Sequence, residues 1–295
     1  MRTIMNVPVL ALLVLAATAS NGSTQQRIDQ RRALDPKGSV RIYNLSGTIR
    51  ITAWTKDSVA ITGTLPGHSR FYMGGSGSGV KAFVESDDES TPRDGGKYEI
   101  RVPARSRLWV KATVADIEIS GVSGALDVNA LSGRIHVIGS PQELFVESMD
   151  GQVDIGATTT SLRVKTASGD ISVRGGSEDA TLGTVSGRIT VGAGRFERGR
   201  FESVTGNISW SAEFQRGGSF TFDSHSGTIA LALDPRAPAD FEITSFNGTI
   251  RNDFSKKRAI PGRGGPGQQL AFAVGDGGTA ITIRNFKGPI ELRRK

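Results

Sequence analysis

From residue 44 onward, apolar and polar positions alternate in short bursts, and each burst is built around a small polar residue followed by Gly. The phrase reads Leu45-Ser46-Gly47-Thr48-Ile49-Arg50-Ile51, then Leu131-Ser132-Gly133-Arg134-Ile135-His136-Val137, then Ala167-Ser168-Gly169-Asp170-Ile171-Ser172-Val173. Further copies centre on Gly187, Gly206, Gly227 and Gly248. The second and fourth residues after each Gly are apolar almost everywhere, as in Ile135/Val137, Val153/Ile155, Ile189/Val191 and Ile208/Trp210. The seventh and fifth residues before it alternate in the same way: Leu144/Val146, Leu162/Val164, Phe220/Phe222 and Phe241/Ile243. Strict period-two alternation predicts strands with one buried face. Each repeat therefore reads as two short strands joined through a bend, where Gly is expected to supply a positive φ without a Cβ in the way. Three residues before the Gly, a Ser/Thr column (Ser148, Thr166, Thr184, Ser203, Ser224, Ser245) is expected to satisfy polar groups at the bend.

The spacing is 18 residues from Gly133 through Gly151 and Gly169 to Gly187, then 19, 21 and 21. A period in this range marks a repeat architecture. Successive strands keep a nine-residue phase from Ile117 to Ile189, which leaves no room for a helical crossover. The predicted fold is all-β: a single-stranded, right-handed parallel β-solenoid (β-helix) with about 18–21 residues per coil. Alternating bend chemistry favours two strands per coil, and a three-sided coil of 27 residues also fits the phase. Val40/Ile42, Leu108/Val110 and Ile281/Ile283 fall in the same register, so one domain is expected over 28–295. Gly/Pro-rich stretches at 64–79 and 255–269 read as mobile loops that interrupt it.

The chain opens with Met1-Arg2 and an apolar run, Val7 to Ala17, too short to span a bilayer and followed by Ala17-Thr18-Ala19. Residues 1–19 read as a secretory signal peptide and 20–27 as a disordered linker, which predicts an exported protein of the periplasm, cell surface or medium. Without Cys there is no thiol nucleophile, disulfide or Cys-ligated metal. The net charge of +7 is concentrated in residues 251–295, which hold ten Lys/Arg against three Asp/Glu. In an exported protein such a region suits anionic envelope components rather than nucleic acid, or simply a solvated surface.

The run from Gly47 to Ile61, followed by serial Ser-Gly-x-Ile-x-Val units, resembles the bacterial putative-adhesin domain family over roughly residues 35–292. The resemblance implies an exported β-solenoid with a binding role at the envelope or surface. The shared motif is structural, so it brings no catalytic residues with it.

Candidate chemistry is sparse. Gly262-Arg263-Gly264-Gly265-Pro266-Gly267 matches G-x-G-x-x-G, but with Pro266 where a helix would begin it does not read as a dinucleotide site. His136 and Asp154 share one outward position on adjacent coils. His225 takes the bend position held elsewhere by Met149, Ala167, Val185, Val204 and Phe246, and is expected to be a packed bend residue. Among the carboxylates, Asp170 should face Arg188 and Glu147 should face Lys165, as ladder pairs. The run Glu85, Asp87, Asp88, Glu89 reads as a solvated turn, with weak Ca²⁺ binding as its sharper alternative. Trp210 should point inward, and Trp109 is the most attractive surface aromatic. No residue is assigned as catalytic, cofactor-binding or metal-ligating. The expectation is a non-enzymatic, adhesin-like binding or scaffold protein that meets an envelope or surface polymer or protein. The alternatives are a carbohydrate-active β-helix enzyme, a polysaccharide lyase or glycoside hydrolase with two carboxylates, and a stalk whose ends stack.

Overall fold

The computed structural model describes residues 25–67, 69–86, 95–262 and 267–295. The expected leader at 1–19 lies outside the described residues, as does most of the 20–27 segment. Gln26 and Arg27, expected in a linker, instead open a strand, Gln26–Ala33. Every regular element among the described residues is a β-strand.

The alternating phrases form two columns of strands. In the first, Ala125–Ser132, Glu143–Ser148, Thr159–Thr166, Ser177–Thr184, Arg195–Ser203 and Glu213–Ser224 pair in parallel, one coil to the next. In the second, Ile135–Gly139, Val153–Ala157, Ile171–Arg174, Ile189–Ala193, Ile208–Trp210 and Ile229–Leu233 do the same. The coil therefore has two strands, not three. Like positions meet like: Leu144 pairs with Leu162, and Val153 with Ile171. The inward residues Val128, Val146, Val164, Leu182, Phe201 and Phe222 are wholly or almost wholly buried. Each such side chain contributes about 1.5–3 kcal/mol. The first two lengthened repeats are absorbed by irregularities, one beside Arg174 and one beside Arg198. There the core turns aromatic, with Trp210 packed against Phe196, Phe201 and Phe214 at ring separations of 4.8–5.1 Å.

At both ends the structure departs from an all-parallel solenoid; the sheet is mixed. The long strands Ser39–Trp54 and Arg107–Ser120 run through both columns and join them. Outside Ser39–Trp54 sit Gly79–Ser86 and Gly96–Pro103, which come later in the sequence. At the other end the last strands, Ala280–Asn285 and Ile290–Arg294, insert between the coil of Glu213–Ser224 and that of Ala239–Ser245. The strand Ser39–Trp54 and the last two strands are thus each held one coil in from an end of the stack. Antiparallel strands then close the stack: Ser69–Ser76 on one corner, Ser58–Leu65 and Gln26–Ala33 on another, and Gln268–Val274 with Ile260–Pro261 at the far end. The stretch 64–79, expected as a mobile loop, is largely the hairpin of Ser69–Ser76 with Gly79–Ser86. The 255–269 stretch likewise contains strand residues, with 263–266 outside the described part. Outer strands bearing Arg27, Asp29, Arg31 and Arg32, or Pro261, are poor templates for further pairing, which argues against end-to-end stacking.

The bend glycines are required for a different reason from the one the sequence suggests. Among the repeat glycines, only Gly47 and Gly133 have a positive φ, 99° and 101°. At Gly151, Gly169, Gly187, Gly206 and Gly227, an added Cβ would instead collide with the carbonyl oxygen of the equivalent glycine one coil before. The hydroxyl column does what it was expected to do at most positions. Ser148, Thr184 and Ser224 accept the N–H of Gly151, Gly187 and Gly227 at 2.9–3.0 Å, and Thr166 donates to Thr184 at 3.0 Å or to the Gly169 carbonyl at 2.6 Å. Asn285 takes the same role in the inserted coil, donating to the Gly227 carbonyl at 2.7 Å and accepting from Gly288 at 2.8 Å. The Ser203 and Ser245 hydroxyls find no such partner.

Gly206→Ala should destabilise the protein by about 2–3 kcal/mol, because the new methyl meets backbone that cannot move alone. Gly183→Ala, where a Cβ meets open space, should leave stability unchanged or raised by less than about 1 kcal/mol. Urea unfolding of the two variants side by side checks this contrast.

Candidate functional site

Because equivalent positions repeat at about 4.8 Å, outward side chains line up as rows. On the second column one row runs Glu99, Arg50, Glu118, His136, Asp154, Ser172. Arg50 donates to Glu118 and to Glu99, each at 3.0 Å. These partners raise the Arg50 guanidinium, the hydrogen bond to Glu118 most. His136 and Asp154 are register neighbours, as expected from the sequence, and Gln152 donates to Asp154 at 3.0 Å. Beside them Asp116, Arg134, Asp150 and Arg174 complete an open, polar trough of about 790 Å³.

The row next to the bend has a structural use that sequence reasoning missed. Asp170 does not pair with the Arg188 guanidinium; its carboxylate accepts the Arg188 backbone N–H at 2.7 Å. Asp116 accepts from Arg134 and Asn207 from Thr228 in the same way, both at 2.9 Å. The signal was present as Asp or Asn directly after the bend residue in these coils. These side chains stitch one coil to the next and are spent on the scaffold.

On the first column the row Arg41, Trp109, Asp127, Phe145, Arg163 faces outward. Trp109, Asp127, Phe145 and Arg163 line a depression of about 330 Å³, with the Arg41 guanidinium 5.3 Å from the Trp109 ring centre. Burial pushes the Asp127 carboxyl up; the 2.6 Å hydrogen bond from Asn129 opposes this, and the nearby Glu147 adds to it. Trp54 lies under Arg31 and Lys56, at 5.1 and 5.4 Å, and Trp210 is buried as expected.

The bend itself carries an unexpected feature. Leu131, Met149, Val185, Val204, Phe286 and Phe246 are 39–56% exposed and succeed one another along the stack. His225, expected to be packed, is exposed and stacks on Phe286 at 4.9 Å; Phe286 stacks on Phe246 at 4.8 Å. Alongside this ridge runs a groove whose aromatic half holds about 750 Å³ and whose aliphatic half holds about 550 Å³. Its floor is the row Asn129, Glu147, Lys165, Gly183, Glu202, Asp223, Arg284, Thr244. Glu147 and Lys165 are register partners, as expected. Burial raises the Asp223 carboxyl against the pull of Arg284 and Arg200.

Of the other sequence candidates, Glu85 is exposed at a strand end, while Asp87, Asp88, Glu89, Arg263 and Pro266 lie outside the described residues. Among the described residues no group of three or more His, Asp and Glu could hold a metal ion, and no helix is long and apolar enough to cross a membrane. In the basic C-terminal stretch, Arg294 lies over the Phe254 ring at 5.8 Å and Lys295 donates to the Ser211 carbonyl.

Stacked two-strand coils closed by antiparallel strands define an all-β, solenoid-like repeat protein. The family profile described as Toastrack DUF4097 matches residues 42–269, and the chain belongs to this putative-adhesin family of unknown function. No curated protein is detectably similar to it in sequence. Among solved structures, it is similar to a putative adhesin from Bacteroides fragilis, at 13% identity and a TM-score of 0.48, over 92% of this chain and 98% of that one. It is also similar to a putative lipid binding protein from Parabacteroides distasonis, at 10% identity and 0.44, over 93% and 98%. A putative adhesin from Parabacteroides distasonis matches at 11% identity and 0.41, over 90% and 97%.

The raised Asp127 carboxyl makes a pH prediction. A carboxyl raised in the fold contributes stability that is fully present below its unfolded pKa and is lost as pH rises through the folded one. Asp127→Asn keeps the acceptor for Asn129 and removes the charge. The variant should melt above the parent at pH 7, and the gap should close as pH falls to the ordinary carboxylate range. Thermal melts across pH 3–7 check the sign.

Proposed function

We propose that this protein is a non-enzymatic, exported, adhesin-like binding protein whose second-column trough holds a polar, hydroxyl-rich envelope or surface polymer along the coil axis. The single observation that carries the reading is the trough around His136. Donors (Arg134, His136, Gln152, Arg174) and acceptors (Glu118, Asp150, Asp154) stand together there along one open channel. Such an arrangement suits sugar hydroxyls, each of which donates and accepts. We take the coil to be right-handed, the hand parallel crossovers adopt. The leader read at 1–19 supports export, and the basic residues of 251–295 suit peripheral contact with anionic envelope components.

A carbohydrate-active enzyme is the second reading. Glu118 and Asp154 stand two coils apart, about 9.6 Å along the stack, near the carboxyl separation of inverting glycosidases. Against it, Glu118 is held by Arg50, and among the described residues the carboxyls that burial raises, Asp127 and Asp223, lie on the other column and in different grooves.

A glycan and cell-wall-polymer array on the mature protein tests both. Binding without turnover is expected, and His136→Ala with Asp154→Ala should weaken it about 10-fold or more, the loss of one to two hydrogen bonds to charged groups. Turnover of any polysaccharide would overturn the non-enzymatic reading, and undiminished binding by the double variant would move the site elsewhere.

A further inference from the structure

We infer that the bend ridge and its groove form an interface with a second copy of this chain, related by a two-fold axis that reverses the coil direction. Six exposed apolar side chains, with the half-buried Ala167 and the exposed His225 completing the row, run over eight successive coils from Leu131 to Phe246 and span about 34 Å. That is a longer apolar stripe than solvent alone explains. Its composition is asymmetric. One end is aliphatic (Leu131, Met149, Ala167) and the other aromatic (His225, Phe286, Phe246), with Val185 and Val204 at the middle.

An axis lying in the contact plane between the Val185 and Val204 coils sets each row against its own reverse. Met149 then meets Phe286 of the second copy, Leu131 meets Phe246, and the small Ala167 faces His225. A thioether against an aromatic ring is a favourable pairing. The same operation tests the groove row independently, because that row was not used to choose the axis. Lys165 falls opposite Asp223, Glu147 opposite Arg284, Asn129 opposite Thr244, and Gly183 leaves room for Glu202. Both charged pairs are of opposite sign, and each occurs twice by symmetry. Setting the copies with coils running the same way needs an axis parallel to the stack, which carries the second copy's groove row to the far side of the ridge and forms neither charged pair. Charge thus selects the reversed arrangement. Facing ring edges outward, the stack His225–Phe286–Phe246 spends most of its faces on itself, which suits an apolar protein strip better than a sugar ring. A strip of this length and roughly three side chains' width buries on the order of 500 Å² per copy, at the low end of specific interfaces. The dimer is therefore expected at tens to hundreds of micromolar.

Sedimentation equilibrium from about 1 to 500 μM on the purified protein tests this. The parent should move from monomer to dimer over that range, and no further. Lys165→Glu and Asp223→Lys should each raise the dimer dissociation constant at least 10-fold, by setting like charges together. An equimolar mixture of the two should associate as the parent does. In the mixed dimer the carboxylate introduced at position 165 of one copy meets the ammonium introduced at position 223 of the other, and the second pair is untouched. Met149→Lys, at a 56% exposed position that leaves the core alone, should also weaken association and serves if Asp223→Lys fails to fold. A parent that stays monomeric at 500 μM would overturn the proposal. So would a dimer indifferent to all three variants, or one weakened by the charge variants but not restored by mixing them.

Discussion

The structure depends on one close approach: at the successive bends from Gly133 to Gly227, the backbone of one coil lies so near the carbonyl of the equivalent residue below that a Cβ cannot fit between them. This contact sets where the chain turns, and it sets it at the same point in each of these coils. Once the bends coincide, the inward apolar residues of successive coils fall on one another, aliphatic on aliphatic through most of the stack and on aromatics where Phe201 and Trp210 enter. The Ser/Thr column and Asn285 then satisfy the N–H groups and carbonyls that the tight corner would otherwise leave buried without partners. Asp116, Asp170 and Asn207 tie the far side of the bend to the next coil. Steric exclusion, hydrogen bonding and apolar packing therefore all specify the same register.

Register also determines the surface. A coil that repeats faithfully inside presents its variable residues in straight rows outside, at the spacing of hydrogen-bonded strands. Chemistry on such a molecule is linear: a polar channel past His136, an aromatic and charged row through Trp109 and Phe145, an apolar ridge along the bends. Several carboxylates that look available in sequence are consumed by the scaffold, Asp170 among them. What is left for partners lies on the rows that do not serve the coil contacts.

Much of the fold is legible from periodicity alone, because burial of alternate side chains writes itself directly into the sequence. Val40/Ile42 and Ile281/Ile283 fall in register by pattern, and they pair as that register requires. The order of coils at the two ends is not legible. Every coil carries the same inward pattern, so nothing in residues 280–294 distinguishes a place inside the 239–245 strand from one outside it. The hairpin over 69–86 is hidden by its glycines, which read as loop chemistry although they sit at and beside a tight turn. The bend ridge escapes sequence reasoning because its residues are apolar and read as packed. Whether an apolar residue at a corner points in or out is decided by backbone direction, which alternation does not encode at a bend.

The most direct measurement is of distances along one outward row. With no native cysteine, spin labels can be placed cleanly at Arg163, Thr282 and Glu242, all outward on the first column. In the stacked order Thr282 is four coils from Arg163 and Glu242 is five. The pair 163–282 should therefore lie near 19 Å and the pair 163–242 near 24 Å between backbones, a difference of one coil spacing. The reverse order, with Glu242 nearer than Thr282, or distances that do not step by a coil, would contradict the register on which the whole account stands.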